Sequence, residues 1–168
     1  TITFAPAATG NQTFQIESSL PLNNLTLSGS AGNVATAKLM VSPLVLNGNL
    51  VIGTNTIFNT NNITTTFNGN FTNNAGAAGY VAGTNLTTFS ASNSSSYLGA
   101  QTLTGATNFY NLTVSPGASL TLNTSCNVLD DLVLSSGTLI LGARLVQVSG
   151  NFTNNARFTD NNVANTGI

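Results

Sequence analysis

The chain has 168 residues, of which three are basic and four acidic, and it contains no histidine and one cysteine. Such a charge-poor surface has no basic patch for nucleic acid or an anionic membrane, and we expect it to self-associate. With one cysteine and no histidine it can form neither an internal disulfide nor a usual zinc or haem site, so we expect no metal and no cofactor. The charged residues are Glu17, Lys38, Asp130, Asp131, Arg144, Arg157 and Asp160.

Polar character comes instead from 26 asparagines and 26 threonines, while 41% of the residues are hydrophobic. Disordered chains lack so many aliphatic and aromatic residues, and this composition favours strands joined by Asn and Gly turns. No run approaches the roughly 18 apolar residues of a membrane helix, so we expect no membrane insertion. We also expect a mature product whose export signal was removed or lies outside this sequence.

The chain contains an internal repeat, and its first motif is Thr3-Phe4. Three motifs recur in the same order, each about half a chain length after its first occurrence. The pairs are Thr3-Phe4 with Thr88-Phe89, Asn24-Leu25-Thr26 with Asn111-Leu112-Thr113, and Asn70-Phe71-Thr72 with Asn151-Phe152-Thr153. Two β units of about 84 residues, 1–84 and 85–168, are therefore predicted to form one continuous domain.

A shorter period divides each unit. In the first half, motifs start at Asn24, Asn49 and Asn70, and the step from Asn24 to Asn49 is longer than the step from Asn49 to Asn70. In the second half, two classes of strand motif advance together at a spacing of about 20 residues. They start at Asn111, Asp131 and Asn151, and at Ser119, Thr138 and Arg157. Apolar residues alternate at period two, as at Leu120 and Leu122, which is typical of strands.

This spacing predicts a parallel β-solenoid of about eight coils, with no long helix. At a strand spacing of about 4.8 Å the stack would be roughly 38 Å long. The alternative is a pair of tandem Greek-key β-sandwiches, one per unit, although a sandwich has no reason to show a short sub-period. We expect surface loops at residues 73–83 and 91–100, where regular alternation is lost.

Five motifs carry a resemblance to a known class of protein. They are Thr1 to Phe4, Gln101 to Leu103, Phe109 to Val114, Ser136 to Leu141 and Gly150 to Asn155. In this order they resemble the repeats of very long secreted bacterial surface proteins, which are adhesin-like or filament-like β-solenoids. The resemblance extends over nearly the whole chain. It implies an extracellular structural role and brings no catalytic residues.

Nine Asn-x-Ser/Thr sequons are present. They are either N-glycosylation acceptors or the chance product of a chain rich in Asn and Thr. The candidate acceptors are Asn62, Asn93, Asn85 and Asn11. Asparagines at equivalent coil positions, such as Asn111 and Asn151, are predicted either to form hydrogen-bonded ladders or to serve only as turn formers.

Other polar and aromatic residues have two interpretations each. Asp130 and Asp131 are the one adjacent pair of carboxylates, but strand neighbours point to opposite faces, which favours a solvated bend or a weak calcium ligand over catalysis. The three tyrosines either stack against sugars or pack in the core or between subunits; they are Tyr80, Tyr97 and Tyr110. Cys126 is expected to be a small buried residue, the alternative being a reactive or intermolecular thiol.

These observations favour a structural protein over an enzyme. We expect a secreted, extracellular or cell-surface solenoid that joins head to tail with its own copies into a fibre, filament or stalk. The stretch from Phe152 to Phe4 of a following copy is as long as one coil of the second half. The candidate assembly residues are Thr1, Ile2, Thr3, Phe4, Asn165, Thr166, Gly167 and Ile168. The alternative is an adhesin or carbohydrate-binding module that presents one solenoid face to glycans or another cell surface.

Overall fold

The computed structural model describes residues 1–5, 11–17, 19–90, 100–115, 117 and 119–160. They form an all-β parallel solenoid of about seven turns, which confirms the predicted fold class. Every ladder between the named strands of this part is parallel. The alternative of two Greek-key sandwiches is wrong, because those folds are built from antiparallel strands.

The described part contains 21 short strands and one short 3-10 helix, Ala77–Gly79. In chain order the strands are β1 Ile2–Phe4, β2 Gln12–Ile16, β3 Leu25–Leu27, β4 Ala35–Leu39, β5 Leu44–Leu46, β6 Leu50–Ile52, β7 Thr56–Asn59, β8 Thr65–Phe67, β9 Phe71–Asn73, β10 Tyr80–Val81, β11 Leu86–Ser90, β12 Ala100–Thr104, β13 Thr107–Phe109, β14 Asn111–Ser115, β15 Ser119–Leu122, β16 Cys126–Val128, β17 Leu132–Leu134, β18 Thr138–Ile140, β19 Val146–Val148, β20 Phe152–Asn154 and β21 Arg157–Thr159.

The strands build three faces, and successive strands take these faces in turn. The first face is one eight-stranded sheet in the order β1-β3-β6-β9-β12-β15-β18-β21. The second face comprises two sheets, β2-β4-β7-β10 and β13-β16-β19. The third face is β5-β8-β11-β14-β17-β20, and Leu22 extends it by a bridge to Leu46. Each turn therefore has three strands, whereas the sequence motifs indicated two classes.

The strand register confirms the predicted coil spacing. Leu112 pairs with Leu132, and Leu132 pairs with Phe152, so the third-face motifs stack at the constant step seen in the sequence. The first-face motifs also pair as the sequence predicted, with a longer step from β3 to β6 than from β6 to β9. One part of the loop prediction is wrong, because Tyr80–Val81 forms β10 and pairs with β7. Most of the second predicted loop, residues 91–99, lies outside the described residues.

The core is a narrow column between the three faces. In most of the shortest strands the first and third side chains point inward and are buried, as Leu25 and Leu27 are in β3. Aromatic rings fill the middle turns, with centroids 5.3 to 6.0 Å apart. These rings are Phe58, Phe67, Phe71, Tyr80, Phe89 and Phe109. Each fully buried side chain of this size stabilises the fold by about 1.5–3 kcal/mol.

Glycine at the corners lets consecutive turns approach closely. A Cβ on Gly69 would overlap the backbone oxygen of Gly48, one turn earlier. A Cβ on Gly105, where φ is +93°, would overlap the backbone oxygen of Asn73. At both places the backbone itself occupies the space of a side chain.

The motifs of the long repeat lie on different faces. Leu25 and Phe71 belong to the first face, whereas their counterparts Leu112 and Phe152 belong to the third. In both pairs the offset is eleven strand positions, or three turns and two thirds. The division into units 1–84 and 85–168 stays a prediction. The pairing of Thr87 with Thr65 crosses that boundary without interruption.

Candidate functional site

An asparagine ladder runs along one corner, just before the first-face strands. The side-chain oxygen of Asn24 accepts from the Asn49 backbone N–H at 2.7 Å, and that of Asn49 accepts from the Asn70 N–H at 2.8 Å. Asn70 in turn accepts from the Thr102 N–H at 2.9 Å. Each rung thus joins one turn to the next, and each satisfies a backbone donor at a bend.

A second ladder lies just before the third-face strands. The Asn111 side-chain oxygen accepts from the Asp131 N–H at 2.9 Å. Asp131 Oδ1 accepts from the Asn151 N–H at 2.7 Å and from its side-chain amide at 3.0 Å. The prediction that Asn111 and Asn151 form a ladder is confirmed, with Asp131 as the rung between them. Its carboxylate is therefore a structural acceptor in this structure.

A buried polar cluster lies between the second and third faces. The Tyr80 hydroxyl is 2.7 Å from the Thr87 hydroxyl and 3.0 Å from that of Thr65. The Asn85 amide nitrogen donates to the Ile63 carbonyl at 3.2 Å and reaches the Tyr80 hydroxyl at 3.5 Å. Burial raises the pKa of Tyr80, so it stays protonated and serves as a hydrogen-bonding group.

This cluster decides one of the sequence interpretations. Tyr80 is 2% exposed, so it packs in the core and offers no surface to a sugar. Asn85 is 1% exposed and its amide donates to the Ile63 carbonyl, and its role as a glycosylation acceptor stays a prediction. Tyr110 is half-buried against the core, and Tyr97 lies outside the described residues.

The other candidate acceptors keep their standing as predictions. Asn62 is exposed in a turn with φ at 63°, and Asn11 is exposed with its side-chain oxygen bonded to the Val34 N–H. Asn93 lies outside the described residues. An intact mass equal to the 17.1 kDa of the unmodified chain would rule out glycosylation.

Cys126 is the first residue of β16. It is 3% exposed and belongs to the hydrophobic core. Burial raises the pKa of its thiol to about 12, so the reactive thiolate is absent near neutral pH. The prediction of a small buried residue is confirmed.

One end of the stack is formed by β1 and β2, which are the outermost strands of their sheets. Ile2 is 39% exposed, and the ring of Phe4 lies 5.1 Å from that of Phe14. The predicted assembly residues Thr1 to Phe4 are therefore at an open sheet edge. The remaining predicted assembly residues lie outside the described part of the chain; they are Asn165, Thr166, Gly167 and Ile168.

The opposite end is formed by β19, β20 and β21, and it holds an apolar concavity of about 250 Å³. Its lining residues are Leu132, Val146, Val148, Phe152 and Phe158. The rings of Phe152 and Phe158 are 5.9 Å apart, and the two residues are 49% and 44% exposed. The sequence motifs did not indicate this site. The coil spacing could have indicated the concavity, because its lining residues are the last described residues in the columns of inward-pointing side chains.

Charge is confined to the two ends. Glu17 follows β2 and Lys38 lies in β4, within the first two turns. The other five charged residues all follow residue 129, and none lies between residues 39 and 129. Contacts in the middle of the stack are therefore made by apolar, hydroxyl and amide groups alone. The first two turns carry one acid and one base, and the part of the chain after residue 129 carries three acids together with Arg144 and Arg157.

The described residues contain no group of three or more His, Cys, Asp or Glu side chains that could hold a metal ion. No helix in this part of the chain is long and apolar enough to cross a bilayer. The chain matches no family model, no curated protein and no solved structure. The site is therefore interpreted from its geometry alone.

Proposed function

We propose that this chain is an extracellular structural protein that assembles end to end into a surface fibre, filament or stalk. The observation that carries the proposal is the pair of unlike ends. One end offers the strand edges of β1 and β2, and the other offers the edges of β19, β20 and β21 around an apolar concavity. Unlike surfaces that bind each other head to tail generate open filaments.

Three further observations support a structural role. Unpaired strand edges present backbone N–H and C=O groups to another chain. The asparagine ladders add side-chain hydrogen bonds along the axis, the direction in which a fibre is loaded. The sequence motifs resemble those of secreted bacterial surface proteins, from which we infer a secreted location and a head-to-tail homopolymer.

An adhesin or carbohydrate-binding module is the second candidate. A shallow groove on the third face favours it, with a volume of about 300 Å³ and a lining that includes Leu86, Thr113 and Val133. No aromatic ring lines this groove, which weakens the case for sugar stacking. Saturable binding on a glycan array that Val133→Arg abolishes would favour this candidate.

The assembly proposal is tested with the purified chain at rising concentration. We expect axial polymers by sedimentation and electron microscopy. Phe152→Lys places a charge at the apolar end and should leave folded monomers, because Phe152 is 49% exposed and adds little to the core. Leu129→Lys is the control, since Leu129 is 51% exposed outside the concavity, and it should still polymerise. A wild-type chain that stays monomeric at high concentration contradicts the proposal.

A further inference from the structure

We infer that consecutive copies join with a rotation of about one third of a turn, so that β1 of one copy pairs with β19 of the copy before it. This inference rests on the proposed end-to-end assembly and specifies its interface. Strands take the three faces in a fixed order, and the last described strand, β21, lies on the first face. Counted over the described strands, the next position belongs to the second face, where β19 is the outermost strand; this differs from the sequence expectation, in which one coil leads from Phe152 in β20 to Phe4.

The alternative junction, with β1 placed on β21, breaks this order. Both strands belong to the first face, so a full turn separates their positions along the solenoid path. Counted over the described strands, this junction would leave one position on the second face and one on the third unfilled between the copies. Counted in the same way, the rotated junction leaves no unfilled position.

The side-chain pattern of β1 matches that of β19. Ile2 and Phe4 are in register with the buried residues of β3 and point inward, whereas Thr3 is exposed. In β19, Val146 and Val148 are half-buried and continue the columns of β16, whereas Gln147 is exposed. In both strands, an inward apolar residue is therefore followed by an outward polar residue and then by a second inward apolar residue.

The pattern of β21 is the opposite. Phe158 is in register with the buried Leu139 and points inward, and the polar residues Arg157 and Thr159 flank it. If β1 paired with β21, the two inward apolar residues of β1 would face a strand that has only one inward apolar residue. The pattern thus favours β19 as the partner of β1.

The concavity fits the residues that this junction delivers. Ile2 and Phe4 would lie over Val146 and Val148, which line it. The ring pair formed by Phe4 and Phe14 would approach the exposed rings of Phe152 and Phe158, as the rings of the middle turns approach one another.

The internal repeat gives an independent indication of the same rotation. When the Leu22 bridge between β2 and β3 is counted as a strand position, the advance is eleven positions for every motif and moves each from the first face to the third. A further advance of eleven positions leads to the second face. There the third occurrence of the Thr3-Phe4 motif would be β1 of the following copy, paired with β19.

The experiment uses disulfide capture in a Cys126→Ala background. Thr3→Cys with Gln147→Cys places exposed thiols opposite each other in the rotated junction, at a strand spacing that a disulfide can bridge. Thr1→Cys with Thr159→Cys is the matched control. Followed from turn to turn along the first face, the strand register aligns Thr159 with Thr1. These two residues would therefore be neighbours only if consecutive copies joined without a rotation. We expect a ladder of disulfide-linked multimers from the first variant and none from the second.

The other outcomes overturn the inference and separate it from the proposed function. Multimers from the control pair, or polymers that neither pair captures, would show that copies assemble through a different junction. The proposed end-to-end assembly would then remain supported, whereas the proposed rotation between copies would be wrong. If both variants and the wild-type chain stay monomeric, the inference and the proposed function fall together.

Discussion

At two corners of the solenoid, a single side-chain oxygen joins one turn to the next. The bend before a strand leaves a backbone N–H pointing along the axis, and the side chain one turn earlier accepts its hydrogen bond, as Asn49 does for Asn70. Asp131 shows that this position requires an acceptor rather than an amide. The sequence predicted the shared ladder of Asn111 and Asn151. It gave no indication that Asn85 and Tyr80 belong to one buried cluster, because that contact joins two faces.

Asn49→Ala should lower the free energy of unfolding by about 1–3 kcal/mol, because the Asn70 N–H loses its acceptor at 2.8 Å. Urea denaturation measures the change. Asn49→Asp keeps an oxygen at this place, as in the second ladder, and should lose clearly less. Asn127→Ala is the control: the exposed Asn127 amide donates to Asn108, and we expect a change below about 0.5 kcal/mol. Equal losses at positions 49 and 127 would contradict the role of the ladder.

Cys126 should make the fold sensitive to alkaline pH. Burial raises its pKa from 9.0 to about 12, so below pH 9 the thiol is neutral in both the folded and the unfolded chain. Above pH 9 the unfolded chain ionises it and the folded chain does not, which lowers the free energy of unfolding as pH rises.

The stability of the wild-type chain relative to Cys126→Ala should therefore fall by about 2 kcal/mol between pH 8 and pH 10.5. The buried Tyr80 is common to both chains and cancels in this difference. Urea denaturation at a series of pH values measures it. Parallel pH profiles for the two chains would show that the thiol ionises as easily in the folded state as in the unfolded one.

At the scale of the strands, stability comes from stacking, because most strands are very short. The sequence located the third-face strands of the second half and first-face strands in both halves, since Leu or Phe recurs there at similar spacings. It missed the second-face class because the inward residue changes from turn to turn, as from Thr107 to Cys126 to Val146. It missed β10 because so short a strand has no detectable alternation.

The aromatic layer of the middle turns should be the most sensitive part of the core. Phe71 is fully buried, and its ring contacts those of Phe67, Tyr80, Phe89 and Phe109. Phe71→Ala should lower the free energy of unfolding by about 3–5 kcal/mol, because it removes apolar contacts and leaves a cavity.

Chemical denaturation of Phe71→Ala is compared with that of Leu145→Ala, a variant at a surface site. Leu145 is 75% exposed, so Leu145→Ala should change the stability by less than about 0.5 kcal/mol. Similar losses for the two variants would mean that the aromatic layer does not hold the middle turns together.

At the scale of the whole molecule, the two ends differ in shape, in charge and in the chemistry of their exposed residues. The sequence predicted an assembly role for Thr1 to Phe4, and that role stays a prediction. It did not predict the concavity around Phe152 and Phe158, because inward residues become a surface only past the last described strands. The repeat also places its motifs on different faces, so a motif and its repeat counterpart do not share a face. This geometry favours a function along the axis over one on a lateral surface.

The most direct test of end-to-end assembly is the helical symmetry of the polymer, measured by electron cryomicroscopy of the wild-type chain. The 21 described strands and Leu22 occupy seven turns and one third, which at about 4.8 Å per turn gives a rise of about 35 Å per copy. We predict this rise, with a rotation near one third of a turn. A chain that forms no axial polymer, or one whose rise is far longer than about 35 Å, would contradict the account.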